Sequence, residues 1–243
     1  AVSLLFFIIY TSMTADKRKY GFRRAFTLRP HLLKGMLSIS GWTMVQSFIS
    51  VSIWFIFFLA IEHLGERPLA VTNIVRNISA LLIMVISAFA TTAGALISNQ
   101  IGAGEQRCLF KTCGMTLKLT YAILIPLLII LCLFPESVLR AFTDSPSLIA
   151  ASVNSVYVMA SSTLIMAPSF ILFNAVSGTG NTRAGFIMEM ISLAVYTAVI
   201  YYGIIRLKPD VALCWFSEHV YGVTLIFLAW WYLKSGKWRG KKV

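Results

Sequence analysis

Glu189 and Glu218 both lie inside long apolar runs of the chain. On insertion scales an ionisable side chain at the centre of a membrane helix costs about 2.5–3.5 kcal/mol, so such a group faces a cavity or a partner. The chemistry open to a carboxylate in that position is to bind a cation or to exchange a proton. Both residues are therefore coupling-ion candidates, against the plainer reading of a structural ion pair. Glu218 lies about 10 Å from one end of its run and Glu189 about 8 Å from the opposite end of its own, at 1.5 Å per residue, which makes Glu218 the deeper of the two. Arg76, inside a third apolar run, is a structural or gating ion-pair candidate, with Glu218 and Glu62 as its expected acids or helix carbonyls as its alternative. Gln46, Ser50, Asn77 and Asn174 are candidates to line a polar cavity wall. Ser50 and Ser217 could add oxygen donors near Glu218 if the ion is Na⁺, since hard cations prefer oxygen.

Other chemistry finds little support. There is no H-E-x-x-H, no nucleophile–base pair and no aspartate within an apolar run, so no catalytic residues are expected and the chain does not read as an enzyme. His219 adjoins Glu218, but neighbouring helix positions point about 100° apart and do not converge. Cys108, Cys113, Cys132 and Cys214 contain no C-x-x-C pair. No metal site and no cofactor are expected beyond a coupling Na⁺ or H⁺.

The elements that must position these groups follow from the pattern of apolar runs. Hydrophobic residues make up 58% of the 243 and charged residues 12%, where a soluble domain has roughly a quarter charged. Gly35 to Ala60 and Ser145 to Thr182 carry no charge at all, and a span needs roughly 20 mostly apolar residues. The sequence predicts an all-α integral membrane protein. Its six full spans cover about 35–60, 71–97, 115–134, 151–177, 184–205 and 211–233, after part of a preceding helix over 1–15. The runs are too long and continuous for barrel strands. Pro126 and Pro168 fall within spans and predict kinks there. The segment from Asn99 to Gly114 mixes apolar and charged residues and is expected along a membrane surface.

The net charge of +12 sits in the connections. One side gathers Lys17, Arg18, Lys19, Arg23, Arg24, Arg29 and Lys34, then Arg107, Lys111, Lys118 and Arg183, and the tail Lys234, Lys237, Arg239, Lys241 and Lys242. The other has only Arg67, Arg140, Arg206 and Lys208. The positive-inside rule places the first set in the cytoplasm. Segment 16–34 is then a cytoplasmic linker, 35–233 a six-helix bundle and 234–243 a cytoplasmic tail, in a multi-pass protein of the cytoplasmic membrane. No basic stripe with interleaved aromatics suggests nucleic acid. Tyr201, Tyr202, Trp230, Trp231 and Tyr232 near span ends read as interface anchors; Trp42, Phe48 and Trp54 are aromatic contacts for lipid or for a cationic ligand.

A second layer of signal lies in the turns. A span ending Ala60-Ile61-Glu62-His63-Leu64-Gly65 is followed by Leu69-Ala70-Val71-Thr72-Asn73-Ile74. Later come Ser98-Asn99-Gln100-Ile101-Gly102-Ala103-Gly104-Glu105 and Val176-Ser177-Gly178-Thr179-Gly180-Asn181-Thr182-Arg183. From about Gly35 to Trp238 this pattern resembles the multidrug and toxic compound extrusion (MATE) family. The resemblance implies half of a twelve-helix, two-bundle transporter: the second bundle and the end of the helix before it. The missing N-terminal bundle, the bilayer and a small-molecule substrate would be its partners. It also implies cation-coupled antiport, with Na⁺ or H⁺ driving the export of drugs or amphipathic and cationic metabolites. A related lipid-linked saccharide flippase and a non-transporting membrane scaffold are the alternatives. Many relatives carry an acid in the first and fourth helices of this bundle. Here those helices hold Gln46, Ser47, Ser50 and Ser52, and Asn154, Ser161, Ser162 and Asn174. The family's usual cation-site acids therefore do not carry over.

Overall fold

The computed structural model describes residues 5, 6, 10, 13, 30–236 and 238. Two compact units make up the chain, Ala1–Gly41 and Trp42–Val243. The segments expected as a partial helix over 1–15, a basic linker over 16–34 and a tail over 234–243 lie wholly or mostly outside the described residues, Arg23 and Lys237 among them.

Among the described residues six helices are long and apolar enough to cross a membrane. They are α1 (Pro30–Glu62), α2 (Glu66–Gly102), α3 (Leu109–Leu133), α5 (Pro146–Gly178), α6 (Thr182–Val199) with its π-helical extension Ile200–Arg206, and α7 (Val211–Cys214) continued by α8 (Ser217–Ser235). A short helix, α4 (Pro135–Leu139), fills the connection after α3. All six expected spans are present, each reaching a few residues beyond its expected bounds at one end or both. Pro135 and Pro146 start their helices, where the missing N–H costs nothing. The Asn181 side chain caps α6 by accepting from the Ala184 amide at 3.2 Å. Pro126 and Pro168 are inside α3 and α5.

The segment Asn99 to Gly114 comprises the end of α2, which continues to Gly102, a 3₁₀ turn, Gln106–Cys108, and the start of α3 at Leu109. Its charged positions Glu105, Arg107 and Lys111 lie just before that turn, within it and in the first turn of α3. Gly104 at φ 81° and Gly180 at φ 77° make the two turns the sequence marked, in the left-handed region that a side chain rarely adopts.

Contacts between helices fix their directions. Arg67 donates to the Ser147 carbonyl near the starts of α2 and α5, and Gly94 meets Gly178 near their ends, so α2 and α5 run parallel. Tyr121 to Leu164 and Tyr157 to Cys132 make α3 antiparallel to α5. Ser161 to His219 and Ile165 to Gly222 make α8 parallel to α5. Asn181 to Tyr232 and Tyr196 to Glu218 make α6 antiparallel to α8. The bundle is thus an alternating up-and-down arrangement. Arg107, Lys111 and Arg183 share one end with the last turn of α8, as the charge pattern requires.

Lipid is as apolar as a leucine core, so close packing and small residues hold membrane helices together. The α2–α5 crossing is built that way. Ala90, Ala93, Ala167 and Ala175 are fully buried. A Cβ on Gly178 would stand 2.5 Å from the Gly94 carbonyl oxygen, and one on Gly94 2.9 Å from that of Asn174. The outer faces carry exposed apolar side chains such as Phe48, Phe55, Leu81 and Leu133, which suits hydrocarbon.

Candidate functional site

A cavity of about 340 Å³ opens among α1, α2, α5, α6 and α8. Its lining holds both intramembrane acids, Glu189 and Glu218, with Ser50, Ser87, Thr91 and Asn174 as further polar groups. Trp54, Phe170, Phe173, Tyr196 and Tyr221 supply aromatic walls, and among the described residues no basic one lines it.

Glu189 reaches this cavity from the second turn of α6. It is 4% exposed. Its Oε1 accepts from Ser50 Oγ of α1 at 2.9 Å and from the Tyr221 hydroxyl of α8 at 3.0 Å. Glu218, in the first turn of α8, is 6% exposed. Its Oε1 accepts from the Tyr196 hydroxyl of α6 at 2.7 Å. Among the described residues neither acid has an ion pair, and Oε2 of each accepts no hydrogen bond. The two tyrosine rings meet edge to face, with centroids 5.8 Å apart. Each tyrosine thus binds the acid of the opposite helix. A carboxylate held by one oxygen with the other uncommitted can accept a cation or a proton without first breaking its anchor.

The remaining sequence candidates fall into three groups. Ser50 and Asn174 line the cavity; Asn174 also donates Nδ2 to the Phe170 carbonyl at 2.9 Å. Ser50, expected near Glu218, serves Glu189 instead. Ser217 does not join either acid through a cavity-facing hydroxyl: its Oγ donates to the Cys214 carbonyl at 2.8 Å. Asn77 and Arg76 line a neighbouring cleft of about 550 Å³, which shares Trp54, Ile83, Ser87 and Phe170 with the acid cavity.

Gln46 is not among the residues around this cavity; it sits half-buried one turn before Ser50, and its carbonyl, 3.0 Å from Ser50 Oγ, competes with Glu189 for the single Ser50 O–H. One expectation is corrected. Arg76 makes no ion pair among the described residues, with Glu218 or with Glu62. It is exposed, off the buried stripe of Val71, Val75, Ile78, Leu82 and Ile86. Its guanidinium lies over the Phe58 ring, 5.1 Å from the centroid. Glu218 is instead held by the Tyr196 hydroxyl of α6.

His219 belongs to a different surface: Nε2 meets Ser161 Oγ at 2.9 Å and the ring stacks on Phe216. Tyr201 and Tyr202 are exposed near the end of α6, as interface aromatics are. Tyr232 is instead tied inward, accepting from Asn181 Nδ2 at 2.6 Å. The residues that sequence reasoning missed are Tyr196, Tyr221, Phe170 and Phe173. A signal for the tyrosines was present: Tyr196 is two turns after Glu189, and Tyr221 is three residues after Glu218, both same-face spacings.

The sequence model of the MatE family matches residues 43–202. No curated protein sequence matches the chain. Among solved structures, the chain is similar to the Vibrio cholerae MATE transporter VcmN in its bent form, with TM-score 0.76 and 15% identity over 86% of this chain and 48% of that one. It is also similar to a MOP superfamily transporter from Pyrococcus furiosus, whose binding pocket is described as reversed in polarity; there the TM-score is 0.72 and the identity 14%, over 82% and 44% of the two chains. The chain therefore spans about half the length of the solved structures it matches.

Proposed function

The chain belongs to the MatE family, and from that premise we propose that it is one bundle of a secondary transporter. It couples the movement of Na⁺ or H⁺ to the export of amphipathic or cationic compounds across the cytoplasmic membrane. Glu189 and Glu218 are its coupling carboxylates in this half. The observation that carries the reading is the meeting of both buried acids on one aromatic cavity with no basic residue among the described ones. Acids surrounded by Trp54, Phe170, Phe173, Tyr196 and Tyr221 favour a cation with an apolar body, through charge and through ring faces. The same lining argues against a lipid-linked pyrophosphate, which calls for convergent basic groups; Arg76 stands outside this cavity. The partner is a second six-helix bundle, supplying the other wall, and the basic end of this one faces the cytoplasm.

The test is efflux of the cationic dye ethidium from liposomes carrying the full-length protein, driven by a pH or Na⁺ gradient. Glu189→Gln and Glu218→Gln each leave the other acid and the aromatic walls in place, so each should weaken ethidium binding by less than it lowers ion-driven efflux, which should fall by about tenfold or more, a loss of about 1.4 kcal/mol in the driven step. Efflux at the normal rate with unchanged ion dependence in both variants would make these acids structural.

A further inference from the structure

We propose that Tyr196 and Tyr221 are positioning residues of the coupling site. Each holds the carboxylate of the other helix by one oxygen and leaves the second oxygen to the cavity, so that α6 and α8 present two aimed carboxylates to a cationic ligand. This rests on the reading of Glu189 and Glu218 as coupling groups.

The geometry is reciprocal. Tyr196 of α6 donates to Glu218 of α8 at 2.7 Å, and Tyr221 of α8 donates to Glu189 of α6 at 3.0 Å. Tyr196 is 2% exposed, and its ring is wedged edge to face against that of Tyr221 and beside Phe57, with centroids 5.8 and 6.4 Å away. Neither hydroxyl can swing freely, so neither carboxylate can. A flexible glutamate without such an anchor would sample several rotamers and offer its charge to the cavity only part of the time. Hydrogen bonds to an ionised acceptor are roughly twice as strong as neutral ones, so the anchors respond to the charge of the acid they hold. The crossing has a further consequence. Glu218 and Tyr221 are neighbours on one face of α8, so a rotation of α8 that loosens Glu218 from Tyr196 also moves Tyr221 on Glu189.

The two anchors are unequal. Glu189 has a second hydroxyl, that of Ser50 at 2.9 Å, whereas Tyr196 is the one hydroxyl on Glu218 among the described residues. Removing the Tyr196 hydroxyl should therefore matter more than removing that of Tyr221.

Phenylalanine keeps each ring and deletes only the donor. In the full-length protein Tyr196→Phe should weaken ethidium binding by less than it moves the half-saturating ion concentration for efflux, which should shift by about tenfold or more. Tyr221→Phe should move it less, and Tyr221→Phe with Ser50→Ala as much as Tyr196→Phe. Infrared difference spectra on protonation supply a readout that packing alone does not move. The carboxyl C=O band that Glu218→Gln abolishes should rise in frequency in Tyr196→Phe, because a hydrogen bond to it is gone. An unchanged band, or an equal effect of Tyr196→Phe in the Glu218→Gln background, would overturn the proposal. If Tyr196→Phe is not recovered as a monodisperse protein, the Tyr221→Phe, Ser50→Ala variant decides by the same two measurements at Glu189. Normal ion-driven efflux in both Glu→Gln variants would instead remove the reading on which the proposal rests.

Discussion

At Arg76 an intramembrane cation is met by a ring and not by a carboxylate. The sequence marks the residue as costly, because a charge stands in an apolar run, but the identity of its partner depends on which way α2 is turned. The buried stripe Val71, Val75, Ile78, Leu82 and Ile86 sets that rotation and leaves Arg76 on the open side over Phe58. An exposed cation–π contact contributes about 0.5–1 kcal/mol. Arg76→Gln is thus expected to lower stability by no more than about 1 kcal/mol, read as a small shift in thermal unfolding in detergent. A loss of several kcal/mol would show that Arg76 holds an acid after all. The acids were legible for the reason that Arg76 was: a single charge in an apolar run is a strong signal. Their partners were not, because a tyrosine in such a run has the hydropathy of its neighbours, and only the spacing from Glu189 to Tyr196 and from Glu218 to Tyr221 sets it apart. Burial does not separate the two acids, since both are almost fully buried on the same cavity.

Among the elements, the six helices were legible from run length, because the bilayer imposes a minimum span and each run is bounded by charges or glycines. What the sequence did not give away was which helices cross most closely. That is decided by small residues several turns apart on different helices, Ala90, Ala93 and Gly94 against Ala167, Ala175 and Gly178. At this crossing a Cβ on Gly178 would collide with backbone, not with a movable side chain. Gly178→Ala must therefore push α2 and α5 apart. Overpacking of this kind costs about 1–3 kcal/mol, and the cavity between these helices should open with it. The expected outcome is a lower unfolding temperature together with weaker ethidium binding, measured on one preparation. Gly114→Ala is the control, since a Cβ there meets nothing within 4 Å. At the start of α6, Asn181 both caps the helix and donates to Tyr232. Asn181→Ala should cost about 1 kcal/mol for the cap alone and somewhat more for the lost link to α8.

For the whole molecule, the question is what stands against the open side of α2. That helix buries one stripe, but Asn77, Thr91, Thr92, Ser98 and Asn99 are exposed on it, and a groove of about 590 Å³ runs past Ser87, Thr91, Thr92 and Asn99. Polar groups facing hydrocarbon are unfavourable, and small-residue faces are where membrane helices meet one another. The acid cavity also opens next to this side, since Ser87 and Thr91 line both spaces. As one bundle of the proposed transporter, the chain would meet a second bundle on this face, which would close the cavity and alternate access around it. The prediction is direct. This chain alone, purified and reconstituted in liposomes, should bind ethidium weakly and move none of it under a pH or Na⁺ gradient, while the same liposomes carrying the two-bundle protein export it. Cysteines at Thr91 and Asn99 should cross-link to the second bundle in the two-bundle protein and stay accessible to a membrane-permeant thiol reagent in the single one. Gradient-driven ethidium export by the single bundle, at the two-bundle rate, would show that the cavity between α1, α2, α5, α6 and α8 is a complete transport path and that the open face of α2 serves another purpose.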